Sequence, residues 1–157
     1  MNLIHFKTQP VEYKVIALRE CPTSSEMQMC DAPEGAVAYW NAHVKTTPIF
    51  SEDAECCVVL LLNVRRRIKG HQFISIGLLD QLLVGPREVF RTAIIAAASA
   101  IVIMHSHPSG DPSPSEADIR ATRELIRAGQ LLKIEVLDHV IVGGPNFSSL
   151  RAMGFFY

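Results

Sequence analysis

Two continuous runs of apolar residues constrain the fold of this chain more than any other feature. The first, CCVVLLLNV from residue 56, is rich in β-branched and aliphatic side chains, which is typical of a strand covered on both faces. The second, AIVIM from residue 100, follows directly on a long helix-forming segment that Pro86 opens, PREVFRTAIIAAAS. Strands of this kind need helices on both sides of the sheet, so the pattern predicts a three-layer α/β sandwich.

The other segments fit the same architecture. A basic turn, RRRIKG, leads from the first apolar run into a second strand and so predicts a hairpin inside the sheet. The sheet is expected to be mixed, because some strands are joined by hairpins and others by helices. The remaining predicted elements are a strand over 11–18, a helix over 31–44, the second strand over 70–76, a helix over 115–129 that ends at Gly129, a strand over 133–142, the turn GGPN and a short strand FSSL. One domain, 1–157, is expected, with an N-terminal strand and helix in 1–50 and the core in 51–157.

Charge and targeting patterns narrow the class of protein. With 15 basic and 16 acidic residues the formal net charge is -1, so no overall charge attracts nucleic acid or an anionic membrane. The opening residues MNLIHFKTQP lack the pattern of a signal peptide, and no apolar run approaches the roughly 20 residues that span a bilayer. We therefore expect a cytoplasmic protein without a membrane partner, whose four cysteines are reduced.

The second apolar strand runs straight into a polar segment, HSHPSGDPSPSEAD, over 105–118. Because side chains alternate along a strand, His105 and His107 point to one face and form a two-point clamp for a metal ion. Ser115 and Asp118 are three residues apart in the first turn of the next helix, so they share a side and can face the histidines. The same Ser-x-x-Asp spacing also fits a capping box, which is a purely structural role.

Two imidazoles and one carboxylate make three ligands for a metal ion. Zn²⁺ with three protein ligands keeps a fourth position open for water, as catalytic zinc sites do. Such a water needs a general base, preferably a carboxylate that is not itself a ligand. Glu55, directly before the first apolar strand, is one candidate, and spacing alone leaves Glu88, Glu116 and Asp111 in competition with it.

These residues resemble the MPN/JAMM metalloprotease motif, Glu … His-x-His-x(7)-Ser-x(2)-Asp. More closely, PREVFRTA, HSHPSGDPSPSEADIRATREL and VLDHVIVGG are similar to the RadC (UPF0758) family, over about residues 55–155. The resemblance implies Zn²⁺ on His105, His107 and Asp118, Glu55 as general acid/base, and Ser115 as a donor to the developing oxyanion. It also implies a cytidine-deaminase-like α/β sandwich with an MPN/JAMM core in 51–157.

Three functions are compatible with this resemblance. The first is a zinc-dependent peptidase or isopeptidase that acts on a peptide or protein substrate through a metal-activated water. The second is a RadC-like DNA-associated protein or a nucleic-acid hydrolase, for which the basic turn Arg65–Lys69 could contact phosphate instead of being a solvated hairpin tip. The third is a non-catalytic MPN interaction module, although such modules usually lose the ligands that this chain retains. We expect the hydrolase, with weak and salt-dependent DNA binding at most.

Two further residues have structural interpretations. His139, which follows Asp138, matches the family pattern, and we expect a hydrogen-bonded core histidine because the metal already has three ligands. Trp40 lies in the helix predicted over 31–44 and is expected in the core.

Overall fold

The computed structural model describes residues 27–77 and 85–157. Within these ranges one five-stranded sheet has the strand order β2-β1-β3-β4-β5. Strands β3 and β4 pair in parallel, whereas the other three neighbouring pairs are antiparallel, so the sheet is mixed as predicted. The strands are β1 (Cys56–Leu62), β2 (Ile68–Ile76), β3 (Ala100–Ser106), β4 (Glu135–Gly143) and β5 (Asn146–Ser149).

Three helical segments cover the two faces of this sheet. They are α1 (Pro33–Tyr39), which continues into a π-helical segment (Trp40–Val44), α2 (Pro86–Ile95) and α3 (Glu116–Leu132). Helices α1 and α2 each begin with a proline, where the missing N–H costs no hydrogen bond.

The residues of β1 show how the layers form, because all seven are buried. Val58 and Leu60 belong to the hydrophobic cluster that contains Trp40, on the α1 side of the sheet. Val59 belongs to the cluster of Phe90 and Leu125, on the side of α2 and α3. A strand that buries both of its faces reads as a continuous apolar run, and the predicted three-layer sandwich is confirmed.

The predicted end of the second long helix at Gly129 is wrong. Helix α3 continues to Leu132 and ends at Lys133, which adopts the left-handed conformation with φ of 59°. A Cβ atom on Gly129 would lie 2.5 Å from the carbonyl oxygen of Ile134 and 3.3 Å from Phe90 Cζ. This glycine therefore allows close packing of α3 instead of ending the helix.

Other boundaries also differ from the sequence prediction by a few residues. Strand β2 begins at Ile68, two residues before its predicted start at 70. Helix α2 ends at Ile95 instead of continuing to Ser99, because Ala97 adopts a left-handed φ of 47° that no helix can continue through.

Some sequence predictions lie outside the described residues, among them the strand over 11–18 and the state of Cys21. The division into 1–50 and 51–157 also stays a prediction. Cys30, Cys56 and Cys57 are buried free thiols, which agrees with the expected reduced state. Within the described ranges, no helix combines the length and the apolar character that crossing a bilayer requires.

Candidate metal centre

The end of β3, the start of β1 and the first turn of α3 meet at one end of the sheet. Antiparallel pairing places His105 opposite Cys57. The backbone N–H of Cys56 donates to Ser106 Oγ at 3.2 Å, which ties the start of β1 to the residue between the two histidines. Glu55 is thereby held beside the histidine pair.

Four side chains converge at this end of the sheet. His105 Nε2 and His107 Nε2 are 2.9 Å apart. Asp118 Oδ1 lies 3.4 Å from His105 Nε2, and Asp118 Oδ2 lies 3.8 Å from His107 Nε2. Glu55 Oε1 is 4.0 Å from His105 Nε2, and ligand atoms of Glu55 and the two histidines all lie within 4.8 Å of one another. The structure thus brings together the three predicted ligands and the predicted base.

A buried chain of hydrogen bonds determines which nitrogen of His105 carries the proton. The Thr122 hydroxyl donates to the Asp118 carbonyl oxygen at 2.6 Å, so its oxygen accepts from His139 Nδ1–H, also at 2.6 Å. His139 Nε2 then has no hydrogen and accepts from His105 Nδ1–H at 2.7 Å. These tautomers follow from the hydrogen-bond partners, and they leave His105 Nε2 with a bare lone pair.

His107 has the same tautomer for a different reason. Its Nδ1 lies 2.8 Å from the carbonyl oxygen of Asp111, and because a carbonyl only accepts, Nδ1 must carry the hydrogen. In the neutral form that binds a metal, His107 presents a bare Nε2, which faces the bare Nε2 of His105 at 2.9 Å. Two imidazole lone pairs beside two carboxylates fit a divalent transition-metal ion, zinc among them.

Burial sets the charges of this cluster. It holds the pKa of His105 well below the usual range, an effect that neighbouring His139 increases and Asp118 partly opposes. Burial likewise lowers the pKa of His139 to about 3, with a smaller contribution from His107. Burial also raises the pKa of Glu55. Both His105 and His139 are therefore neutral at pH 7, which is the form that binds a metal.

The predicted capping box is present at the start of α3. The backbone N–H of Asp118 donates to Ser115 Oγ at 3.2 Å, and the backbone N–H of Ser115 donates to Asp118 Oδ2 at 2.7 Å. The Ser115 hydroxyl also donates to Asp118 Oδ2 at 2.7 Å. Two donors thus hold Oδ2, while Oδ1 is the carboxylate oxygen nearest to His105. The cap orients the carboxylate, and the role of Ser115 as an oxyanion donor stays a prediction.

The loop after β3 packs tightly on β4. A Cβ atom on Gly143 would lie 2.6 Å from the carbonyl oxygen of Gly110 and 2.7 Å from Pro112 N. Only glycine fits at this position without moving the loop. The loop in turn supplies the Asp111 carbonyl that orients His107.

The structure distinguishes Glu55 from the other acids that the sequence allows as the general base. Glu88 and Glu116 are exposed in the first turns of α2 and α3. The Asp111 carboxylate is exposed and accepts from the backbone N–H of Ser113 at 2.9 Å. Of these acids, Glu55 is the one in the cluster with both histidines.

Sequence reasoning identified part of the hydrogen-bond chain. His139 is fully buried and hydrogen-bonded, as expected for a core histidine. Thr122 was not predicted to take part. One signal was available, since Thr122 lies four residues after Asp118 and so falls on the same side of α3.

The basic turn lies far from this cluster. Strand β1 leads from Glu55 to the turn across seven residues, a distance of about 20 Å. Arg66 pairs with Glu135 at 2.9 Å, and Arg67 donates to the Met27 carbonyl oxygen at 2.8 Å. At least two of its cations are thus engaged in contacts within the chain.

A mixed sheet with Glu, His-x-His and Ser-x-x-Asp gathered at one end defines a domain of the JAB type, also called MPN. The family model for the RadC-like JAB domain matches residues 30–155, and the chain belongs to that family.

Curated relatives bear the name UPF0758 protein. The one from Thermosynechococcus vestitus is 41% identical over 126 residues, which cover 80% of this chain and 48% of the relative. The one from Desulforamulus reducens is 45% identical over 102 residues, covering 65% of this chain and 45% of the relative. The one from Alkaliphilus metalliredigens is 52% identical over 93 residues, covering 59% and 40%. The chain spans about half the length of these relatives or less.

Proposed function

We propose that this chain is a zinc metallohydrolase of the JAMM type that cleaves peptide or isopeptide bonds with water. The observation that carries the proposal is the convergence of the Nε2 atoms of His105 and His107, 2.9 Å apart and flanked by two carboxylates. Zinc held by these histidines and Asp118 would supply Lewis-acid chemistry, lowering the pKa of water and polarising a substrate carbonyl.

The two carboxylates suit different roles. Asp118 is the nearer to His105 Nε2, at 3.4 Å against 4.0 Å for Glu55, and its side chain is 4% exposed. The capping box holds it in place, as a ligand requires. The Glu55 side chain is 19% exposed, and burial raises its pKa, which suits a group that must accept and then release a proton.

In turnover, Glu55 would transfer a proton and Ser115 would stabilise the oxyanion. Glu55 takes a proton from the attacking water as the new carbon–oxygen bond forms. It then returns that proton to the amide nitrogen as the carbon–nitrogen bond breaks, so a carboxylic acid and an amine leave. The Ser115 hydroxyl would turn from Asp118 to donate to the oxyanion.

The alternatives have less support. A nuclease needs cations near its reaction centre, whereas Arg66 and Arg67 lie at the other end of β1 and are engaged there. Weak and salt-dependent DNA binding at most therefore stays our prediction. An interaction module has no need of a buried hydrogen-bond chain that fixes the tautomer of His105, whereas a metal ligand does.

Amide cleavage by matched glutamine variants tests the proposal. The zinc-loaded protein would be incubated with a peptide library and a lysine-isopeptide library, and products would be identified by mass spectrometry. Glu55→Gln should keep its zinc and lose hydrolysis by a factor on the order of a hundred or more. Glu116→Gln makes the same change on an exposed glutamate and should cleave like wild type. Equal cleavage by Glu55→Gln, or no cleavage of any amide by the zinc-loaded wild type, would contradict the proposal.

A further inference from the structure

A cavity of about 160 Å³ lies directly beside the candidate metal centre, on the α1 side of the sheet. His107 belongs to both, because it lines the cavity and also presents Nε2 to His105. A substrate held at the metal centre would therefore have this cavity within reach of the groups next to its scissile bond. We call it the Trp40 cavity; the argument uses Trp40, Lys45, Phe50, Glu52, His107 and Val142 from its lining.

The lining of the Trp40 cavity combines aromatic and apolar side chains with the polar groups of Lys45, Glu52 and His107. The rings of Trp40 and Phe50 meet edge to face, with centroids 5.7 Å apart and planes at 89°. Val142 is buried in the same hydrophobic cluster as Trp40. Apolar cavities of about 150 Å³ can hold a benzene ring, so the space suits a side chain from the size of leucine to that of phenylalanine.

The charged residues of the cavity offset each other. Lys45 Nζ lies 3.6 Å from Glu52 Oε1, and these side chains are the more exposed part of the lining. A paired cation and anion give no strong preference for a charged side chain of either sign. The lining therefore favours an uncharged occupant.

We infer that the Trp40 cavity is the specificity subsite for a bulky, uncharged apolar side chain adjacent to the scissile amide. The inference rests on the proposed hydrolase and adds the class of substrate. It assigns Trp40 and Phe50 the selection of the side chain, while Glu55, His105 and Asp118 act on the amide.

Ligand binding tests the subsite without any cleavage. Trp40 is the single tryptophan of the sequence, so all tryptophan emission comes from a residue that lines this cavity. N-acetyl-phenylalaninamide and N-acetyl-leucinamide should change the emission in a saturable way. N-acetyl-glycinamide should bind at least about tenfold more weakly, because burial of a large apolar side chain is lost. Equal effects of the three amides would overturn the inference, and this titration needs no variant to fold.

Cleavage profiling distinguishes failure of the subsite from failure of the proposed function. Wild type and Ile49→Ala, which shortens an exposed neighbour outside the cavity lining, should prefer phenylalanine or leucine beside the cleaved bond. Phe50→Ala should lose at least about tenfold of that preference, and Phe50→Leu should lose less. Cleavage by wild type without this preference would overturn the subsite and leave the hydrolase standing. Saturable binding of the bulky amides without cleavage of any peptide would retain the cavity as a ligand site and overturn the hydrolase.

Discussion

Thr122→Val is the sharpest perturbation of the hydrogen-bond chain behind the candidate metal centre. The replacement keeps the shape of the side chain and removes the hydroxyl that accepts from His139 Nδ1–H. His139 is fully buried, so this donor would have no water to replace the lost acceptor. A buried donor left without a partner costs about 1–3 kcal/mol, and we expect the free energy of unfolding to fall by that amount.

Metal affinity should fall as well. If His139 avoids the unpaired donor by moving its proton to Nε2, this hydrogen faces His105 Nδ1–H at 2.7 Å. His105 would then have to carry its proton on Nε2, the atom that is meant to bind the metal. Loss of an outer hydrogen-bond partner of a ligand typically weakens metal binding by about 10- to 100-fold.

The assay pairs Thr122→Val with Thr122→Ser. Zinc affinity would be measured by competition with a chelator, and the stability of the metal-free protein by denaturant unfolding. Thr122→Ser keeps the hydroxyl, so it should bind zinc like wild type and lose only about 1 kcal/mol of stability for the deleted methyl group. Equal zinc affinities for the two variants would refute the reasoning.

Three further predictions follow from other contacts. Ser115→Ala should lower the free energy of unfolding by about 1 kcal/mol, because the helix cap is lost. If the hydroxyl also donates to the oxyanion, the variant should hydrolyse its substrate about 10²- to 10³-fold more slowly. Unchanged turnover in cleavage assays would mean that Ser115 acts only as a cap. Gly143→Ala should weaken zinc binding in chelator competition, because its Cβ would lie 2.6 Å from Gly110 O and displace the loop that orients His107; wild-type affinity would contradict this role. Burial raises the pKa of Cys30 and of Cys56 to about 11, so in a Cys21→Ser variant the native thiols should resist alkylation at pH 8 while the unfolded chain reacts; rapid native labelling would contradict this. Since thiols of the unfolded chain titrate near 9.0, the stability that these protonated thiols contribute is complete below pH 9 and is lost as pH rises towards 11, which unfolding curves across that range would show.

The layers of the fold could be predicted from the sequence, because a strand buried on both faces has a continuous run of apolar residues. The apolar run of β1 predicted a strand between helices, and every residue of it is buried. Helix ends were less readable. Gly129 looks like a helix stop because glycine often ends helices, but glycine also appears where backbones approach closely, and here Ile134 requires the second role.

The arrangement of the site could be predicted where its residues are close in sequence. Strand alternation predicts that His105 and His107 share a face, and helical spacing predicts that Asp118 can face them. The choice of Glu55 needed the sheet, because the pairing of β1 with β3 brings it to the histidines. The role of Thr122 depends on His139, which is 17 residues further along the chain; helical spacing places Thr122 on the side of Asp118 but does not indicate the contact with His139.

The metal content of the purified protein tests the central claim most directly. Elemental analysis after zinc-supplemented expression would compare wild type with His107→Ala, and with His43→Ala, which removes an exposed histidine outside the cluster. Wild type and His43→Ala should each hold about one zinc per chain, and His107→Ala should lose it while remaining folded by circular dichroism. Absence of bound metal from wild type, or full zinc occupancy in His107→Ala, would contradict the account.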